Sequence, residues 1–395
     1  MTVLYNPHAP ADAQLIAKYD GRAPRYTSYP TAVQFTPEVN EATYRAWLAA
    51  LPVTTPVSVY LHIPFCARLC WYCGCNTRAV NRHEPVSEYV TLLMRELSTL
   101  EQALPGKMSV GDIHLGGGTP NMLSVEELAT IFGGLRHVFH VAPDAEIAAE
   151  LDPAVLSRDW IRAAAYHGLS RASLGVQNLA PEVQSAVNRQ EKFEDIAECV
   201  ATLREAGVAS VNLDLMYGLP HQTTRNTLST LDAVLTLRPE RLALFGYAHV
   251  PWMKAHQQLI DEAALPGPAE RLEQSQAAAE RLKAEGYVQI GLDHFALPGD
   301  TLAKAAAEGT LHRNFQGASA IGTTPGGYVQ NITAELGWRH AVADGKLPIA
   351  RGVAVTDEDR FRADIIERLM CDFAVDLVAA CERHGRKLAD LHDAI

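Results

Sequence analysis

The 395-residue sequence is 48% hydrophobic, yet it holds no uninterrupted apolar stretch approaching the ~18 residues that a membrane-spanning helix requires. Its first residues, Met1 to Pro10, offer neither a basic start nor an apolar core of the signal-peptide kind, so the expected address is the cytoplasm. Basic charge is also scarce. With 34 Lys and Arg against 46 Asp and Glu, the net charge is -12, and no long basic run interrupts the acidic balance. That argues against a broad nucleic-acid surface. An anionic substrate would have to be caught by local arginines, because exposed charges are screened beyond ~8 Å at physiological salt. Seven cysteines are sparse and odd in number, which disfavours a disulfide framework of the kind found in short secreted chains. There is no internal repeat and no low-complexity tract.

What cysteine there is lies mostly in one place. Cys66, Cys70, Cys73 and Cys75 crowd a ten-residue loop directly after the apolar run Val57 to Phe65. At gaps of three and two residues, Cys66, Cys70 and Cys73 can reach three corners of one cubane, and thiolates are the soft ligands that iron-sulfur clusters take. The fourth iron then has no obvious cysteine, and an open coordination position is where a metal centre takes on substrate chemistry. A structural zinc site would draw a second short-spaced pair some dozen residues away. Cys199, Cys371 and Cys381 form no such pair, and their helix-like surroundings make them buried, inert thiols.

From about residue 56, short β-branched runs alternate with amphipathic segments, the signature of parallel βα units. Strands are expected at Val57 to His62, Asp112 to Leu115, Glu146 to Leu151, Arg171 to Gln177, Ser210 to Tyr217 and Arg241 to Ala248. Helices are expected at Ser87 to Leu104, Ser124 to Phe139, Asp159 to His167, Phe193 to Ala206 and Thr224 to Leu237. Six such units fall short of a closed eight-unit barrel. Chemistry in such folds collects on loops at the C-terminal strand ends, and the notable residues fall there. Residues 1–55 read as an ordered, capping arm around Pro24 to Thr31, residues 56–255 as the partial barrel, and residues 256–395 as an extension. That extension has helices at Ala269 to Glu285, Asp300 to Glu308 and Asp357 to His384, and a possible strand at Tyr287 to Leu292.

Several constellations stand on that rim. Gly116, Gly117 and Gly118, followed by Thr119 and Pro120, remove side chains where a backbone must approach a ligand closely; the spacing fits neither a dinucleotide fingerprint nor a phosphate loop, and a plain turn is the competing reading. Glu150 and Asp152 flank Leu151 at a strand end, with Asp214 in the matching place two strands later. Such carboxylates suit a ribose diol or an ammonium, or else a helix cap or salt bridge. Arg25 and Arg189 are candidate carboxylate forks, against the alternative of solvated surface. His312 to Gly317 is a donor-rich loop.

The thiol spacing after a strand resembles the radical-SAM superfamily, in which three cysteines hold a 4Fe-4S cluster whose free iron is chelated by S-adenosylmethionine. Arg25 to Thr31, Tyr60 to Asn76, Gly116 to Pro120, Asn188-Arg189, Asn212 to Pro220 and His312 to Gly317 together resemble the oxygen-independent coproporphyrinogen III oxidase (dehydrogenase) family. The resemblance implies an α/β fold, an open three-quarter (β/α)6 TIM-like barrel with an N-terminal arm and a mostly helical C-terminal extension. It implies two bound S-adenosylmethionine molecules. Tyr60 and Glu150 match family contacts to the cluster-bound one, while Tyr72, Gly117, Gly118, Thr119, Gln177, Arg189, Asp214, Ala248 and Ile321 match other nucleoside and methionine contacts. Cys75 matches a family cysteine that does not ligate the cluster. The implied reaction is oxidative decarboxylation of two propionates of coproporphyrinogen III to vinyl groups, by a monomer taking electrons from a reduced flavodoxin- or ferredoxin-type donor. The alternatives are a haem-binding chaperone of the same superfamily and a catalytically impaired porphyrin-binding paralogue. A family segment after Gly317 and a C-terminal domain after Ile395 are expected to be missing here.

Overall fold

A computed structural model describes residue 18, residues 29–308 and residues 319–391. The six β-branched runs become β1 (Val57–Ile63), β2 (Ser109–Gly117), β3 (His140–Leu151), β4 (Leu169–Gln177), β5 (Ser210–Tyr217) and β6 (Arg241–Gly246), adjacent in that order. Every pairing among them is parallel. Runs such as Val211, Leu213 and Leu215 are buried because the strands curl around an interior and are covered by helices outside. The helix Glu84–Glu101 shows why each crossover packs: Val86, Tyr89, Val90, Leu93, Leu97 and Leu100 recur at helical spacing and are all buried. The helix Val125–Val138 starts where Ser124 Oγ accepts from Glu127 N (3.2 Å) and Ser124 N donates back to Glu127 Oε2 (2.8 Å).

The barrel stays open as a six-unit partial barrel, as expected, but the sheet does not end at β6. A hairpin of β7 (Val288–Ile290) and β8 (His294–Ala296) follows, with β8 antiparallel to β6. The expected strand at Tyr287 to Leu292 is thus one arm of a hairpin that covers an otherwise unpaired edge. The helix expected over Asp357 to His384 is two, Asp357–Asp372 and Leu377–Arg383. Phe373 turns left-handed at φ 55° and Asp376 caps the second helix through Val378 N and Ala379 N.

The extension also carries a three-stranded antiparallel sheet, β9 (Ile321–Thr324), β10 (Gly327–Asn331) and β11 (Ile349–Ala354), whose short strands the periodicity does not announce. It is joined to the barrel through a buried carboxylate. Glu96, on the first crossover helix, accepts from Asn331 Nδ2 (2.7 Å) and Trp338 Nε1 (2.9 Å), and Trp338 stacks on Tyr89 with ring centroids 4.6 Å apart. The arm's later part pairs with this sheet at Thr36, bonded to Gly352. Arg25 to Ser28 and His312 to Gly317 lie outside the described residues.

Candidate functional site

The cysteine loop leaves β1 and is closed by short parallel pairing of Phe65–Cys66 with Arg78–Ala79. Each thiol of the expected triad meets different partners. Cys66 Sγ lies 3.1 Å from Thr77 Oγ1 and accepts from Thr119 Oγ1 at 3.3 Å. Cys70 Sγ accepts from an Arg189 guanidinium nitrogen at 3.5 Å. Cys73 Sγ accepts from Cys75 N at 3.4 Å. Hydrogen bonding from the Cys75 side chain is the chief cause lowering the Cys73 thiol, whereas burial pushes the Cys66 thiol up.

Among the described residues no three His, Cys, Asp or Glu side chains converge on a single ion. Three thiols on one rim loop, each with its own hydrogen-bonding partner, are the soft donor set that an iron-sulfur cubane takes.

The loop is held from three sides. From the segment after β6, Lys254 Nζ donates to Cys75 O (3.0 Å), His256 Nε2 to Cys73 O (2.7 Å) and Gln257 Nε2 to Tyr72 O (3.0 Å). Gln257 Nε2 also reaches Ala248 O at 3.3 Å. From the turn after β4, Asn188 Nδ2 donates to Leu69 O (3.0 Å), and Trp71 N donates to Val187 O (3.0 Å). The third hold is ionic. Glu191 receives Arg68 at 2.9 Å and Arg189 at 2.7 Å, and Asp152 lies 3.3 Å from Arg189. Burial raises the Glu191 carboxyl, but the Arg189 and Arg68 guanidinium groups at 2.7 and 2.9 Å oppose that shift, and Arg189 is itself held above its ordinary range against the cost of burial, so the contact is an ion pair. Arg68 Nε, Arg189 Nε and Glu191 Oε2 are buried with no protein partner, leaving polar capacity beside Cys70 for a bound group.

The glycine loop owes its composition to β1. Gly118 N donates to Ile63 O and Thr119 N to Phe65 O, both at 2.8 Å, drawing the two segments together. A Cβ on Gly116 would fall 2.8 Å from the Tyr60 ring, one on Gly117 2.5 Å from the His62 ring, and one on Gly118 2.6 Å from Phe65 O. Gly117 also has φ 107°, a backbone that L side chains rarely adopt. The protein's own side chains and backbone therefore require these glycines, whether or not a ligand approaches them.

Glu150 accepts from Gly117 N (3.1 Å) and lies 3.2 Å from His114 Nε2. Burial opposes its charge, but those two partners hold the carboxyl below the usual range. Tyr60 stacks on His114 with centroids 5.6 Å apart, and its hydroxyl lies 3.2 Å from His62 Nδ1. Asp214, half-buried, accepts from Ser173 Oγ (2.7 Å) and Asn212 Nδ2 (2.6 Å), and desolvation pushes it up to about 6.

The structure thus gathers Tyr60, Gly117, Glu150, Gly118, Thr119 and Cys66 on the β1–β3 rim, and Tyr72, Cys70 and Arg189 beside the β4 turn. Gln177 ends β4 with φ 63°. Asp152 turns away from Glu150 toward Arg189, so the two carboxylates serve different partners. Ile321 opens β9, in the sheet that meets the cysteine loop where Asn76 Nδ2 donates to Thr333 O (3.1 Å). Sequence reasoning missed His62, His114, Arg68 and Glu191. Only His62 had a local signal, its period-two placement beside Tyr60 on β1.

Residues 60–234 match the Radical SAM superfamily, the class that a partial barrel with this thiol loop defines. The chain is 46% identical over 387 residues to the oxygen-independent coproporphyrinogen III oxidase of Bradyrhizobium diazoefficiens, covering 94% of this chain and 86% of that one. It is 42% identical over 380 residues to the same-named protein of Paracoccus denitrificans, covering 93% and 84%. The solved coproporphyrinogen III oxidase of Escherichia coli, described as a radical SAM enzyme, superposes with a TM-score of 0.89 at 36% identity, covering 95% of this chain and 88% of that one. The chain belongs to the oxygen-independent coproporphyrinogen III oxidase family.

Proposed function

We propose that this chain converts two propionate side chains of coproporphyrinogen III to vinyl groups, giving protoporphyrinogen IX without oxygen, as a step of haem biosynthesis. The observation that carries the reading is similarity to coproporphyrinogen III oxidases over nearly the whole chain, together with three separately partnered thiols on the barrel rim. A 4Fe-4S cluster and S-adenosylmethionine, when bound, would supply the one-electron chemistry for taking a β-hydrogen atom from the propionate, and the electron released with carbon dioxide would pass to an external one-electron acceptor.

The chain's own residues bind and aim. Cys66, Cys70 and Cys73 are assigned as the cluster ligands, and Tyr60, Gly117 and Glu150 as the wall beside the cluster-bound S-adenosylmethionine. A second S-adenosylmethionine would be met by Tyr72, Gly118, Thr119, Gln177, Arg189, Asp214 and Ala248, with Ile321 closing from the second sheet. Arg189, a planar cation with one guanidinium nitrogen 3.5 Å from Cys70 Sγ, suits a methionine carboxylate. Asp214, held by Ser173 and Asn212, suits a ribose diol. A small reduced flavodoxin- or ferredoxin-type protein is the proposed electron source, and a cytoplasmic monomer the proposed state. No helix among the described residues is long and apolar enough to cross a membrane.

The test is an anaerobic assay of the reconstituted protein with reductant, S-adenosylmethionine and coproporphyrinogen III, quantifying 5'-deoxyadenosine and protoporphyrinogen IX together. Two cleavages per product are expected. Cleavage with no vinyl product would refute the oxidase reading, and stoichiometric haem binding without product would favour the chaperone.

A further inference from the structure

We propose that His62 is a positioning residue that commits the Tyr60 hydroxyl proton to its own ring, so that Tyr60 presents only lone pairs to the cofactor and selects the ammonium group of S-adenosylmethionine over its carboxylate. This rests on the placement of Tyr60 beside the cofactor given above.

His62 Nε2 lies 2.8 Å from the Asn76 carbonyl oxygen, which can only accept, so Nε2 carries the hydrogen. The ring is buried, 6% exposed, and burial lowers its affinity for a second proton. A neutral ring protonated at Nε2 leaves a lone pair on Nδ1, and the Tyr60 hydroxyl stands 3.2 Å from it. The phenol therefore donates there. Burial first, and then the Glu150 charge, keep Tyr60 in its protonated form. A phenol whose one proton is engaged can only accept from a further partner.

The geometry leaves the relay little freedom. Tyr60 and His62 are two residues apart on one strand and share a face. The His62 ring lies over Gly117, where a Cβ would fall 2.5 Å away. Asn76 is anchored in turn by its own side chain on Thr333 O at 3.1 Å. The chain of contacts thus runs from the end of the cysteine loop to the hydroxyl.

The test uses anaerobic, cluster-loaded protein and calorimetry with two probes: S-adenosylmethionine, and the analogue whose α-amino group is replaced by hydrogen. The variants are Tyr60→Phe, His62→Gln, whose amide can still meet the Asn76 carbonyl, and the double variant. Each single change should weaken S-adenosylmethionine binding about 10-fold. The double should be no weaker than the worse single, and the preference for the amino-bearing probe should shrink in all three. Losses that multiply, or an undiminished preference in Tyr60→Phe, overturn the relay. Tyr60→Phe removes only a hydroxyl, so it decides the matter even if His62→Gln folds poorly. Wild-type cluster content and binding are read in the same series, so failure of the broader assignment would show there, separately.

Discussion

Arg189 places one guanidinium nitrogen 2.7 Å from the Glu191 carboxylate and another 3.5 Å from Cys70 Sγ, so a buried ion pair touches a thiol of the expected triad directly. Arg68, inside the cysteine loop, shares the same carboxylate at 2.9 Å. The loop is therefore tied to the segment after the helix Pro181–Ala186 by charge as well as by backbone hydrogen bonds.

Replacing Glu191 by alanine should leave two arginines with Asp152 alone. Stranded buried charge of this kind costs on the order of 3 kcal/mol. A lowered thermal midpoint and reduced iron uptake on anaerobic reconstitution are the expected outcomes. Arg68→Met should reduce iron uptake with a smaller loss of stability, because Glu191 keeps Arg189.

Serine at Cys66, Cys70 or Cys73 should abolish or cripple the cluster, whereas Cys75→Ser should retain it. Cys75 is exposed and meets the triad through the Cys73 sulfur. Anaerobic iron and sulfide counting with electron resonance distinguishes these results; an intact cluster in Cys70→Ser would contradict the assignment.

The glycine loop predicts an asymmetry between two alanine substitutions. At Gly118 a Cβ meets the Phe65 backbone, with O at 2.6 Å and N at 2.8 Å, which cannot move without shifting β1 away from the loop. A loss of about 3 kcal/mol is expected. At Gly74 nothing lies within 4 Å, and the change should stay within about 0.5 kcal/mol. Denaturant unfolding of the two variants checks this.

Glu96 predicts a pH dependence of stability. Burial pushes its carboxyl up to about 7 from 4.5, even though Trp338 and Asn331 donate to it. The folded state thus holds the proton more tightly than the unfolded chain. Its contribution is fully present below about 4.5 and is lost as pH rises through about 7. The span is on the order of 3 kcal/mol. Glu96→Gln should remove this slope, so wild type should lose stability relative to the variant as pH is raised from 5 to 8 in denaturant titrations.

The alternation of β-branched runs with amphipathic segments determined six parallel strands and their crossover helices, because periods of two and 3.6 are properties of short stretches. Cysteine spacing, too, is local, and by itself it points to a cubane. The rim placement of Gly117, Glu150 and Asp214 followed from their positions at strand ends. Partnership did not. Glu191 meets Arg68 across 123 residues and Glu96 meets Trp338 across 242. The hairpin that covers β6 and the split near Phe373 likewise depend on what packs alongside. The His62 ring lies over Gly117, and Asp152 faces Arg189 rather than Glu150. Such pairings are set by register and crossover geometry between distant segments, where a shift of one residue sends a side chain to the opposite face, so only the folded chain decides them.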